Sequence, residues 1–218
     1  MAAKTIETKI LFLSLTVILC AEVGTRALVS EGMLPPMLTL GAARLAEAVL
    51  ILFVVSIFDE GTSSIGLAPH QIVAGLKKGL IWSAVFGMLA FLGFVILYAR
   101  GLNPVTLIKA PLPAHAQGVA LFFLVGGLVA PVAEEVFFRG ILYGFLRRWG
   151  VVSAIIGSTL VFVLAHAPST GLPLIQAVGG LVFALAYEVE GNLTVPITIH
   201  SLGNMAIFAL SLGFQLSS

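Results

Sequence analysis

Charge is scarce in this sequence. Of its 218 residues, 10% are Asp, Glu, Lys or Arg, against roughly 25% in an average soluble domain. The signs nearly cancel, with 11 basic and 10 acidic side chains, so no basic field exists to hold a nucleic acid. Cysteine is almost missing too. Cys20 stands alone, and one cysteine excludes a disulfide framework. No internal repeat, low-complexity run or H-E-x-x-H pattern is present. Apolar residues fill the space: they make up 59% of the chain, and the mean hydropathy is +1.12. A soluble domain of this size has too little interior to bury that much apolar surface. The same excess excludes intrinsic disorder. What remains is an all-α, polytopic transmembrane helical bundle, read as a single transmembrane domain over residues 1–218.

A helix crosses the hydrocarbon core with about 20 apolar residues. Stretches of that kind run from Ile10 to Val29, Leu40 to Phe58, Gly79 to Tyr98, Gln117 to Trp149, Val151 to Ala165, Leu174 to Tyr187 and Val195 to Phe214. They predict about seven spans, within a range of six to eight. The range reflects the long fourth stretch, which could divide into two helices bent at Pro131, where a backbone N–H is missing. Short links after Trp149 predict antiparallel neighbours among the last helices. Lys4 and Lys9 precede an apolar run in the order of a signal peptide. No A-x-A site follows, and Leu19 precedes Cys20 where a lipoprotein site wants a small residue, so the first helix is expected to be retained. Between the second and third spans, Pro69 is expected to open a short helix and His70 to be exposed. The loop from Arg100 to Ala116 carries Pro104, Pro111, Pro113 and His115, but no metal or nucleotide motif. With seven spans, Lys4, Lys9, Lys77, Lys78, Arg147 and Arg148 share one side, and Arg100 and Lys109 take the other. The positive-inside rule then puts the N-terminus in the cytoplasm and the C-terminus outside.

Ionisable groups inside apolar helices cost about 2.5–3.5 kcal/mol each and mark functional sites by default. Two sets in the first helices, Glu22 with Arg26 and Arg44 with Glu47, have spacings that pair on one helix face, and packing is the expected role. The C-terminal half is different. Glu134 and Glu135 lie in the middle of LVAPVAEEVFFRGILYGFL, with Arg139 one turn on. His166 ends STLVFVLAH, and His200 and Asn204 lie in VPITIHSLGNMAIF. Glu135 and Arg139 share a face, while Glu134 points about 100° away and is free to meet something else. Three helices can thus bring polar groups to one pocket. A carboxylate beside an imidazole can deprotonate water and later protonate a leaving amine. Burial makes the carboxylate a stronger base, and Arg139 would balance the charge of Glu135. His200 and Asn204 could donate to a developing oxyanion. The same carboxylates and imidazoles also suit zinc by ligand type, and on that alternative Glu134, His166 and His200 would bind it.

Each residue has a plainer role to weigh. Glu134 and Glu135 could be an interfacial pair compensated by Arg139, Arg147 and Arg148. His166 could cap a helix end before Pro168, and His200 and Asn204 could simply bond between helices. Phe122, Phe123, Phe137, Phe138 and Phe162 read as packing, and Glu188 and Glu190 as solvated residues at a helix end.

Glu134 to Arg139 reads E-E-x-x-x-R and is followed by Gly140; Phe162 to His166 reads F-x-x-x-H; His200 to Asn204 reads H-x-x-x-N. This ordered triple, each member in an apolar helix, resembles the family of CAAX prenyl endopeptidases and bacteriocin-processing or immunity proteins. Pro196 and Ile197 ahead of His200 add to the likeness. The resemblance spans about residues 130–204, within a core of about 117–212. It implies an intramembrane endopeptidase that hydrolyses a peptide bond of a membrane-associated substrate. It makes Glu134 the water-activating base assisted by His166, His200 and Asn204 the oxyanion pair, and Glu135 with Arg139 a supporting or substrate-orienting pair. A glutamate mechanism fits better than a metalloprotease one, because Asn204 is a poor zinc ligand and a good donor. No cofactor is therefore expected, with zinc as the alternative. The implied partners are the lipid bilayer and a peptide or protein with a membrane-embedded or C-terminal segment, and no nucleic acid. The implied location is a prokaryotic cytoplasmic membrane. Two other readings stay open. One is a small proton-coupled transporter using Glu134 and His166 as a relay, although no inverted repeat is seen. The other is a non-catalytic immunity or scaffold protein.

Overall fold

The computed structural model describes residues 5–32, 34–104, 108–166 and 173–217. Its described residues form seven helices and no strand: α1 (Thr8–Ser30), α2 (Pro36–Phe58), α3 (Ile72–Ala99), α4 (Ala116–Trp149), α5 (Val151–Ala165), α6 (Leu174–Glu190) and α7 (Thr194–Ser217). The chain is the all-α polytopic bundle that the apolar runs predicted. Five helices are long and apolar enough to cross a membrane: α1, α2, α3 with the turns leading into it, α4 and α7. The other two, α5 and α6, have 15 and 17 residues, about 22–26 Å at 1.5 Å per residue.

Local chemistry sets the boundaries. Pro36 opens α2, where its fixed φ suits a first turn and its missing N–H costs nothing. Pro69 to Gln71 make a short 3-10 turn that runs into α3, so α3 begins at Ile72, earlier than the Gly79 expected from hydropathy. Gly150, at φ 101°, reverses the chain between α4 and α5 in a conformation other residues rarely adopt. α4 does not divide at Pro131. It runs unbroken from Ala116 to Trp149, because a wide π turn at Val125–Val129 lies just ahead of the proline.

Helices pack pairwise, α1 on α2, α3 on α7, and α5 on α6. The core gathers around the second half of α4, where every residue from Val136 to Tyr143 is buried. Ile10, Ile51, Val55, Phe162, Phe183 and Ile199 close on it from the other helices. By contrast, α3 leaves Ile81, Phe91 and Ile96 exposed, as a lipid-facing helix does. It touches α7 closely at Gly79, where a Cβ would stand 2.5 Å from Thr198 Cβ.

The ion pairs correct two expectations. Glu22 does not pair with Arg26; its Oε1 accepts from Arg44 Nη2 at 2.7 Å. Arg44 also donates to Glu47 Oε2 at 2.7 Å, as its spacing predicted. A guanidinium on the neighbouring helix serves two carboxylates at once, which an i,i+4 contact on α1 alone cannot match. Glu188 and Glu190 are half-buried and ion-paired rather than simply solvated. Glu188 accepts from Arg147 at 2.9 and 3.1 Å and from Tyr143 at 2.8 Å. Glu190 accepts from Lys78, and from Trp82 at 3.1 Å. Lys9 lies 3.8 Å over the Phe58 ring, and Arg148 reaches Thr8 at 3.2 Å. These contacts gather Lys9, Lys78, Arg147 and Arg148 at one end of the bundle, which is the grouping that the charge pattern predicted. Lys4 and Pro168 lie outside the described residues.

Candidate active site

Two wide turns in α4 aim its carboxylates. One π turn precedes Ala130, and a second covers Val136–Tyr143, leaving a short α segment, Ala130–Glu135, between them. Glu134 and Glu135 leave that segment in different directions. The Glu134 side chain is 15% exposed, and the Glu135 side chain is 0% exposed.

Glu134 Oε2 faces two imidazoles, His166 Nε2 at 3.4 Å and His200 Nε2 at 3.7 Å. Both rings are oriented from behind. His166 closes α5, and its Nδ1 lies 2.8 Å from Phe162 O. A carbonyl only accepts, so Nδ1 of His166 is the donor and Nε2 turns to Glu134. His200, on α7, donates Nδ1–H to Glu135 Oε1 at 2.8 Å. Its ring stacks on Phe183 with centroids 4.6 Å apart and planes 20° apart. The same Glu135 Oε1 accepts from Arg139 Nη1 at 2.7 Å, one turn along α4. Arg139 is fully buried, and its Nη2 donates to Gly180 O at 3.1 Å. Its guanidinium lies 4.7 Å from the Phe162 ring centroid and 5.2 Å from that of Phe183, within cation–π range. Gly180 permits this approach. A Cβ there would stand 3.1 Å from Thr159 Cγ2 and 3.2 Å from Phe162 Cδ1.

The structure thus brings Glu134, Glu135, Arg139, His166 and His200 together from α4, α5 and α7. Asn204, expected beside His200 as an oxyanion donor, gives Nδ2–H to Gly126 O at 2.8 Å, back on α4. The link from His200 to Glu135 crosses between helices, and spacing within one helix gave no sign of it.

A cleft of about 570 Å³ opens on the pair Glu134 and His166. Apolar side chains line much of it, Ile18, Leu19, Ile51, Phe137, Phe138 and Val161 among them. Glu22, Arg26, Arg44 and Glu47 form part of its wall. Their spacing along α1 and α2 predicts packing pairs and no place in a site. Their visible signal was the same as for Glu134, ionisable groups inside apolar helices. Glu47 Oε1, buried on α2, has no hydrogen-bond partner among the described residues. Glu134, His166 and His200 supply donor types that zinc accepts. They do not, however, form a group that could hold a metal ion among the described residues.

Residues 116–206 match the family model described as type II CAAX prenyl endopeptidase Rce1-like. The chain is 27% identical over 150 residues to the "Putative membrane peptidase YdiL" of Bacillus subtilis (strain 168), an alignment covering 68% of this chain and 59% of the relative. It is 34% identical over 104 residues to the "Membrane-embedded CAAX protease MroQ" of Staphylococcus aureus (strain USA300), covering 44% of this chain and 42% of the relative. The chain therefore spans about half the length of these curated relatives. No solved structure matches it.

Proposed function

Residues 116–206 belong to the family of CAAX prenyl endopeptidases and bacteriocin-processing proteins, and from that premise we propose that the chain is an intramembrane endopeptidase in which Glu134 activates water. One observation carries the reading: Glu134, His166 and His200 arrive from three helices and meet within 3.7 Å. Both imidazoles commit Nδ1 to an oxygen acceptor, so each turns Nε2 inward. A water held between Glu134 Oε2 and His166 Nε2 is gripped by its hydrogens, and its oxygen lone pair is left to attack. Glu134 Oε2 takes one proton from that water, assisted by His166 Nε2. The hydroxide oxygen bonds to the scissile carbonyl carbon, and the carbonyl oxygen becomes an oxyanion. A protonated His200 Nε2, backed by Glu135, faces that charge. The proton held by Glu134 passes to the amide nitrogen, the C–N bond breaks, and a carboxylic acid and an amine leave. Arg139 keeps Glu135, and through it His200, in place. No step runs through a metal.

The cleft suits a peptide segment lying in or against the membrane. Its apolar lining accepts aliphatic or lipidated side chains, and its polar wall from α1 and α2 meets the backbone. The relatives' names, a membrane peptidase and a CAAX protease, agree with a substrate of this kind. The bilayer of a prokaryotic cytoplasmic membrane is the proposed setting. The test uses purified protein in detergent and an internally quenched peptide with a CAAX-like C-terminus, in lipidated and plain forms. Wild type cleaves it, while Glu134→Ala and His200→Ala do not. Cleavage retained in both variants would sink the mechanism.

A further inference from the structure

Arg26 is a charge that the fold leaves without a partner. It stands on α1, in a stretch long and apolar enough to cross a membrane, where a lone guanidinium is costly and marks a functional site. Glu22, one turn back on the same face, is already taken: its Oε1 accepts from Arg44 Nη2 at 2.7 Å. Arg26 has no ion pair or hydrogen bond with any described residue, and it is exposed on the wall of the cleft that Glu134 and His166 line. Helix register places it along that cleft. Five residues link α1 to α2, so the two run antiparallel, and the pair of Glu22 with Arg44 puts Arg26 about level with Leu40. Phe58 meets Lys9 and Arg148 meets Thr8, so α2 and α4 end together and run parallel. Gly41 meets Val125 on α4, where an added Cβ would stand 2.8 Å from Val125 Cγ2. Glu134, nine residues on from Val125, is then about level with Leu50. That level is about 15 Å from Arg26 at 1.5 Å per residue, or about four residues of extended peptide. Glu47 lies between the two, with its buried Oε1 unpartnered among the described residues, and repels an anion there. Past Glu134 the lining turns apolar, with Ile51, Phe137 and Phe138.

We propose that Arg26 is a substrate-binding residue, which takes a carboxylate about four residues from the scissile bond. That carboxylate is an acidic side chain or the free C-terminus of the peptide, and the planar guanidinium fork fits both of its oxygens. The cleft thus selects a segment that is apolar at one end and acidic at the other. The proposal names a substrate class for the endopeptidase reading of the same cleft and rests on that reading.

Four quenched peptides test it, alike except in charge, with the scissile bond mapped by mass spectrometry. One is neutral, with glutamine four residues from that bond and an amidated C-terminus. The second replaces the glutamine with glutamate, the third frees the C-terminus, and the fourth replaces the glutamine with lysine. Wild type should show a KM about tenfold lower for a carboxylate-bearing peptide than for the neutral one, the lower end for a hydrogen bond to a charged group. Whichever of the second and third peptides is preferred names the source of the carboxylate. Arg26→Ala should bring these peptides level with the neutral one, and Arg26→Lys should keep part of the preference. Arg26→Glu should turn the preference toward the lysine peptide, a gain that misfolding cannot imitate. A wild type without preference, or an Arg26→Ala protein that keeps it, would overturn the proposal. The same assays in phosphatidylcholine nanodiscs, with and without phosphatidylglycerol, exclude a lipid role. An Arg26→Ala effect equal for all four peptides and present only with the anionic lipid would make Arg26 a headgroup anchor, and would overturn the proposal too. If wild type cleaves no peptide, the endopeptidase reading fails. Binding of the same peptides in fluorescently labelled form, read by anisotropy on wild type and Arg26→Ala, still decides whether Arg26 takes a carboxylate.

Discussion

Replacing Glu135 with glutamine removes one charge on which two buried side chains depend. Glu135 Oε1 accepts from Arg139 at 2.7 Å and from His200 at 2.8 Å. The Glu135 and Arg139 side chains are 0% exposed. Breaking a buried pair costs about 3–5 kcal/mol, because the surviving charge is left uncompensated. The amide oxygen of glutamine still accepts one of the two bonds, which holds the loss near the lower bound, about 3 kcal/mol. At about 2–4 °C per kcal/mol for a chain of this length, the melting point should fall by roughly 6–12 °C. Differential scanning fluorimetry of detergent-purified protein reads this directly. Cleavage should fall as well, since His200 loses its orienting partner. A companion variant separates the two effects. Glu135→Leu combined with Arg139→Met removes both charges, so stability should return toward wild type while activity does not. A Glu135→Gln protein that melts with wild type would refute the reasoning, because the pair would then carry no net load in the fold.

Three further outcomes follow from the same structure. Gly180→Ala places a Cβ 3.1 Å from Thr159 and 3.2 Å from Phe162; overpacking of about 1–3 kcal/mol should appear as a lower melting point, and an unchanged melt would show that the contact relaxes freely. The Glu190 carboxyl, beyond the apolar part of α6, is held below the usual carboxylate range, first by its hydrogen bond from Lys78 and against some burial. A depressed carboxyl contributes stability above its unfolded value and loses it as pH falls, so wild type should lose its margin over Glu190→Gln below about pH 4.3. A margin that persists in acid would contradict this. Dialysis against a strong chelator should leave cleavage unchanged, and a loss restored by zinc would return the metal alternative.

Much of this site was legible because buried charge is expensive. Glu134, Glu135, Arg139, His166 and His200 stood out against apolar neighbours, and the i,i+4 spacing of Glu135 and Arg139 correctly gave their pair. Spacing within one helix says nothing about partners on the next. That is why Glu22 was assigned to Arg26 when Arg44 holds it, and why the bond from His200 to Glu135 was invisible. Glu134 and His166 lie at equal sequence distance on either side of Gly150, so an antiparallel hairpin puts them at one level. That clue was available in the sequence. Pro131 suggested a bend, yet Gly126 and Gly127 just ahead of it allow a wide turn, and the helix continues. Glu188 and Glu190 were read as solvated because they sit at a helix end, where neighbouring ends supplied Arg147 and Lys78.

The central claim is that Glu134 activates water directly, and one isotope experiment tests it most closely. Wild-type protein in molar excess over the quenched peptide is allowed a single turnover in H₂¹⁸O, and product and protein are analysed by mass spectrometry. The account predicts one solvent ¹⁸O in the new product carboxylate and none in the fragment containing Glu134. Unlabelled product with ¹⁸O in that fragment would mean a covalent acyl–Glu134 intermediate and would contradict it.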